Sequence, residues 1–242
     1  MTENNKSLKE KLEGSKKYLQ NADLKGVNLE GAELEGALLV GADMRDANLK
    51  KIYLSAALIS KANLSGADLT EANLSGADLN KCNLQGANLQ NAYIRRADLR
   101  GSNFSNTNLT KANLRECAFY KAWIKNANCS GANLQNLKGS QSQWQKSILK
   151  GAKLEGADLS GARLEGANLE DAGLQAANLN RSFLKDANLN RADLRGANLR
   201  YVVGLTQEQL KVAQIDRTTL LPSYVKVKWT SATSFEFLDD KE

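Results

Sequence analysis

Residues 62 to 81 read Ala62-Asn63-Leu64-Ser65-Gly66, Ala67-Asp68-Leu69-Thr70-Glu71, Ala72-Asn73-Leu74-Ser75-Gly76, Ala77-Asp78-Leu79-Asn80-Lys81. The same five-residue phrase, Ala-(Asp/Asn)-Leu-x-x, occurs four times in succession. Followed outward in both directions, its phase holds from Leu24 to Leu199. That span contains 36 leucine slots, of which leucine itself fills 27. The others hold Met44, Ile59, Ile94, Phe104, Phe119, Ile124, Cys129, Gly139 and Trp144. Two residues earlier, alanine occurs 26 times, and most exceptions are small, among them Cys82, Ser102, Thr107, Cys117 and Ser142. A fixed period held this long is the signature of a repeat architecture.

A period of five suits neither a helix of 3.6 residues per turn nor an unbroken strand. Within one unit, however, the alanine and the leucine are two apart, and on an extended segment that spacing puts both on one side. Each unit therefore reads as a very short strand with a small and a large apolar residue inward and the Asp or Asn between them outward. The last two residues must turn the chain. Fourteen of the 18 glycines sit two residues after the leucine, where a corner with positive φ selects them. A chain that turns every five residues winds into a solenoid whose coils stack at about 4.8 Å.

With this motif over residues 22 to 201, the sequence resembles the pentapeptide repeat family. The resemblance implies an all-β solenoid, a right-handed quadrilateral β-helix with four units per coil. Thirty-six units would make about nine coils, with short helical caps at both ends.

The sequence outside the repeats supplies candidates for those caps. Residues 1–20 carry Ser7-Leu8-Lys9-Glu10, a capping-box pattern, with Leu8, Leu12 and Leu19 to cover the first coil. Residues 202–222 include Thr206 as a helix N-cap, Gln209 three positions on, and Leu205 with Leu210 as a staple. In residues 223–242, Val225, Val227 and Trp229 alternate with polar residues, as do Phe235 and Phe237, which suits a small hairpin or a tail. The motif of the repeat block 21–201 is interrupted once, at 135–148. The phase survives, so either degenerate units continue the helix or a loop bulges out.

Composition narrows the function. Histidine is absent, which removes the commonest general base and metal ligand. The three cysteines, Cys82, Cys117 and Cys129, match no zinc or redox spacing and fall on inward slots. No phosphate loop, nucleophile elbow or metal cluster occurs. These features predict no catalytic residues, no metal and no cofactor. No segment resembles a signal peptide or membrane span, so the expected setting is cytoplasmic.

Charge is the remaining signal. Residues 1–80 carry 10 basic and 12 acidic side chains, residues 81–150 carry 11 and 2, and residues 151–242 carry 12 and 13. The basic excess of the chain therefore lies in its middle third, as a belt. Its candidate partner-binding residues are Arg95, Arg96, Arg100, Lys111, Arg115, Lys121, Lys125 and Lys138, with Trp144 added from the 135–148 segment.

The sequence thus predicts a non-enzymatic protein-interaction scaffold, bacterial and of regulatory use, whose partner is a protein of acidic character. Its capped ends favour a monomer or a weak dimer. The alternative is nucleic acid or another polyanion bound through the belt at 81–150, which the lack of interleaved stacking aromatics disfavours. One branch of the family mimics DNA with an acidic rod and binds gyrase; this chain, with a pI near 9.1, departs from it in charge.

Overall fold

The computed structural model describes residues 3–238, with side chains from residue 8. From Asp23 onward, the outward residue of each unit pairs in parallel with the residue twenty positions later: Asp23 with Asp43, Asn28 with Asn48, Glu33 with Tyr53, Leu38 with Leu58. Four ladders of such bridges run the length of the repeats, so one coil takes four units and the solenoid presents four faces. The hydrogen bonds follow the same rule. Leu69 N donates to Asn88 O (2.7 Å) and Asn88 N donates to Ala67 O (2.9 Å), tying one coil to the next.

Each corner is a turn closed by the residue after it. Ala72 N donates to Leu69 O at 3.0 Å, across Thr70 and Glu71. The third residue of that turn has φ near +60° throughout, in Gly66 (φ 69°) and Glu71 (φ 58°) alike, which is why glycine concentrates there. The outward Asp or Asn serves the same corner: Ser65 N donates to Asn63 Oδ1 (3.1 Å) and Thr70 N to Asp68 Oδ1 (3.0 Å). A short side-chain acceptor two residues before the corner N–H is what this geometry needs, and that explains the Asp/Asn preference of the motif.

Inside, leucine and alanine slots from Leu29 to Leu199 form one continuous buried cluster. Cys82, Cys117 and Cys129 lie within it as free thiols. Residues 135–148 do not bulge. Gly139 N donates to Asp158 O (2.8 Å), Trp144 N to Arg163 O (2.7 Å) and Ile148 N to Ala127 O (2.9 Å), so the coil continues in register. The loop alternative falls, because size is exchanged between neighbouring inward slots and the backbone is undisturbed: Leu137 takes the slot that usually holds alanine, beside the side-chain-free Gly139, and Trp144 is buried with its indole stacked on Phe119.

Before the first coil lie α1 (Glu3–Gly14) and a single 3-10 turn (Lys16–Tyr18). The helix starts four residues ahead of Ser7, so Ser7 lies within it and not at its N-cap; neither proline nor glycine interrupts the residues upstream. Leu12 and Leu19 join the core, and Lys9 Nζ donates to Gly31 O (2.8 Å). After the last coil, α2 (Gln207–Lys211) opens on a capping box between Thr206 and Gln209, and Gln209 Nε2 donates to the carbonyls of Leu184 and Ala187. Strands β1 (Val227–Trp229) and β2 (Phe235–Phe237) pair antiparallel as a hairpin partly packed on the core.

Candidate protein-docking face

The face of interest has Asp78, Asp98, Ala118, Lys138 and Asp158 as its successive outward residues, one per coil. Ala118 stands where the motif most often places Asp or Asn, and the surface sinks there into an open hollow of about 850 Å³. Arg96, Arg100, Glu116, Tyr120, Asn136, Lys138 and Ser140 line it. Two corners flank the face. One carries Arg95, Arg96, Arg115 and Glu116; the other carries Arg100, Tyr120 and Lys121.

Three arginines converge on one carboxylate. Arg96 Nε donates to Glu116 Oε2 at 2.6 Å, and Arg95 Nη2 lies 3.5 Å from Glu116 Oε1. Arg115 Nε is 3.1 Å from the same oxygen but off the line of a hydrogen bond, so its attraction is one of charge alone. Arg100 grips Asp98 through Nε and Nη2, at 2.8 and 2.6 Å. These contacts hold both carboxyls below the usual range, Glu116 through its hydrogen bond from Arg96 and Asp98 through its hydrogen bond from Arg100. Lys121 Nζ sits 4.9 Å from the centroid of the Tyr120 ring, in cation–π range. Among the described residues, Lys138 has no ion-pair partner. Arg95, Arg96, Arg100, Arg115, Lys121 and Lys138 set against Asp98 and Glu116 leave a local charge of +4.

Six of the nine residues singled out from the sequence therefore share one quadrant of the rod, and three do not. Lys125 lies outside the quadrant, one face beyond Lys121 and diagonal to the corner of Arg95 and Arg96. Lys111 borders a separate hollow of about 760 Å³ between Tyr53 and Tyr93. Trp144 is excluded as a contact residue: it is only 1% exposed, and its Nε1 donates to the buried Ser142 Oγ at 2.6 Å. Ala118 itself went unnoticed in the sequence. Writing the chain in rows of twenty would have shown it as the missing acid between Asp98 and Lys138.

Among the described residues, no group of His, Cys, Asp or Glu is arranged to hold a metal ion, and no helix is long and apolar enough to cross a membrane. The thiols are buried, and burial pushes each up to about 12.

The family profile described as Pentapeptide repeats matches residues 18–55, 47–86, 87–126, 127–171 and 167–202. No curated protein matches the chain. Among solved structures, HetL is similar: it is a pentapeptide repeat protein involved in heterocyst differentiation regulation, from the cyanobacterium Nostoc sp. strain PCC 7120. It is 30% identical over 88% of this chain and 90% of its own, with a TM-score of 0.38. QnrB1, a plasmid-mediated fluoroquinolone resistance protein, is 18% identical over 84% of this chain and 90% of its own, with a TM-score of 0.47. Rfr23, a pentapeptide repeat protein from the cyanobacterium Cyanothece 51142, is 22% identical over 64% of this chain and 90% of its own, with a TM-score of 0.20.

Proposed function

Because this chain belongs to the pentapeptide repeat family, we propose that it is a non-enzymatic protein-interaction scaffold that docks an acidic protein on the basic quadrant around Ala118. In this reading the repeats form a right-handed quadrilateral rod of about nine coils, closed at one end by α1 and at the other by α2. Residues 1–20 and 202–222 act as caps, residues 223–242 form a tail that carries the hairpin, and the rod works in the cytoplasm as a monomer or weak dimer. A regulatory use fits a chain that acts by holding a partner.

The observation that carries this reading is the placement of the charge. Six cations meet two anions on one rigid quadrant, while the chain as a whole has a net charge of +6 over 242 residues. Such a field steers and orients an oppositely charged partner. The repeat backbone fixes each side chain to its coil, so little ordering is needed on binding.

The test is capture from a native lysate on the immobilised full chain, at low and at moderate salt, with and without nuclease. The expected result is a discrete protein retained at both salts, indifferent to nuclease, and lost when Lys138 is changed to Glu. Recovery confined to low salt and abolished by nuclease would instead assign the quadrant to nucleic acid, whose binding falls steeply with salt as counterions are released.

A further inference from the structure

We infer that the hollow over Ala118 receives a carboxylate side chain from an extended acidic segment of the partner, which takes the place that the repeat's own aspartate holds in other coils. This inference rests on the scaffold reading above and specifies which part of a partner the face accepts.

The first support is a hydrogen-bond donor left free. In the coil below, Asp98 Oδ1 accepts from Arg100 N at 3.1 Å. Across the chain the outward Asp or Asn does the same for the N–H two residues on, as Asn108 does for Thr110 and Asp158 for Ser160. Ala118 has no oxygen to offer, so the N–H of Tyr120, like those of the other corners whose outward residue is neither Asp nor Asn, finds no acceptor among the described residues; within this hollow the N–H of Ser140, beyond Lys138, is left free in the same way. A carboxylate entering the hollow would meet this N–H in the geometry that the fold already uses for its own carboxylates.

The second support is the surrounding charge. Lys138 stands one coil above Ala118 without an ion partner among the described residues. The guanidinium side chains of Arg96 and Arg100 are held by Glu116 and Asp98 yet remain 65% and 55% exposed. They present further N–H groups at fixed positions, and hydrogen bonds from cations to carboxylates are the strong ones.

The third support is extent, which selects a short protein segment over a nucleic acid. The basic stretch of this face ends at Asp78 on one side and at Asp158 on the other. Those two acids are four coil steps apart, about 19 Å at the spacing of paired strands. A duplex laid along the rod would press phosphates against both. A short acidic segment fits between them.

The experiment uses the full-length chain and, as probe, a labelled synthetic peptide of alternating glutamate and glycine, with a labelled DNA duplex in parallel, both read by fluorescence anisotropy. Ala118→Asn and Ala118→Asp put back the residue type that the repeat prefers, so both variants should fold, and a thermal melt checks that they do. Filling the hollow with Asn should weaken peptide binding about tenfold, and Ala118→Asp and Lys138→Glu should weaken it further, since each tenfold is about 1.4 kcal/mol, within reach of one charged contact. Lys125→Glu, one face outside the quadrant, should leave binding within about twofold, as expected of a rim charge that does not touch the hollow. Wild-type affinity in both Ala118 variants would overturn the inference, as would a duplex that displaces the peptide at moderate salt. If the peptide ignores the hollow while a nuclease-resistant protein is still captured, only this inference falls. If no protein is captured, the scaffold reading falls with it.

Discussion

The indole of Trp144 stacks on the ring of Phe119, with centroids 5.8 Å apart and planes inclined by 26°. The two residues lie on neighbouring faces of successive coils. The inward slot directly above Phe119 belongs to Gly139, which contributes no side chain, and Leu137, in the slot that usually holds alanine, reaches toward that space, its Cδ2 3.0 Å from where a Gly139 Cβ would stand. Phe104, at 5.4 Å from Phe119, extends the stack downward.

This exchange makes a coupled prediction. Trp144→Ala should destabilise the rod by about 3–5 kcal/mol, the range for deleting a large buried aromatic. Gly139→Leu alone should also destabilise it, because a Cβ on Gly139 already meets Leu137 Cδ2 at 3.0 Å. Combining Gly139→Leu with Leu137→Ala restores the motif at both slots and should recover more than half of the loss summed over those two changes made singly. Urea unfolding of the two single variants and the double gives the coupling energy. Additive losses would mean that the two sites do not share one space.

The same pair shows what the sequence could and could not tell. The phase of the motif predicted that positions 139 and 144 face inward, and they do. It could not tell whether Gly139 marked a break, because one strand's slots carry no information about which neighbour fills them. The corners were legible for a different reason: glycine at one phase reports a backbone angle, a local property. Ala118 was the hardest case. An alanine is unremarkable in a repeat that uses 26 of them inward, and only its outward phase between Asp98 and Lys138 gives it meaning. The convergence of Arg95, Arg96 and Arg115 on Glu116 needed side-chain directions that spacing alone does not supply.

The thiols should report folding. Cys82 and Cys117 donate through Sγ to Ile59 O and Ile94 O, at 3.0 and 2.9 Å, and all three cysteines are buried. No thiol should react with a maleimide in native buffer, and all should react in urea. Their raised values also set a direction with pH. The folded state favours the protonated thiol, so this contribution is complete below the ordinary thiol pKa of about 8.5 and is lost as pH climbs from there toward 12. Replacing Cys82 and Cys117 by Ala and Cys129 by Leu, the residues the repeat prefers, should flatten the alkaline fall in melting temperature. An unchanged slope would place its cause elsewhere.

Binding of the acidic peptide should be flat from about pH 8 to pH 5.5, because the chain has no histidine to titrate there. Glu116 and Asp98 are held below the normal carboxylate range by Arg96 and Arg100, so they stay charged while the peptide's own glutamates protonate near pH 4.3. Affinity should therefore fall with the ligand's titration and not with the protein's. A midpoint between pH 6 and 7 in an anisotropy titration would show that some other group controls the site.

The corner residues allow function to be separated from stability. Lys111 and Lys121 both stand at positive φ, 57° and 55°, where the repeat most often uses glycine. Holding a non-glycine residue there costs about 1–2 kcal/mol, and glycine's extra freedom in the unfolded chain takes back about 0.5–1. Each Lys→Gly variant should thus be more stable than the parent by about 0.5–1 kcal/mol in urea unfolding. The two should part company in binding. Lys111 lies beside the Tyr53–Tyr93 hollow, so Lys111→Gly should leave the affinity for the acidic peptide unchanged. Lys121 belongs to the basic quadrant and packs on Tyr120, so Lys121→Gly should weaken binding severalfold while stabilising the fold. If both variants gain stability and neither loses affinity, Lys121 does not contribute to the docking surface.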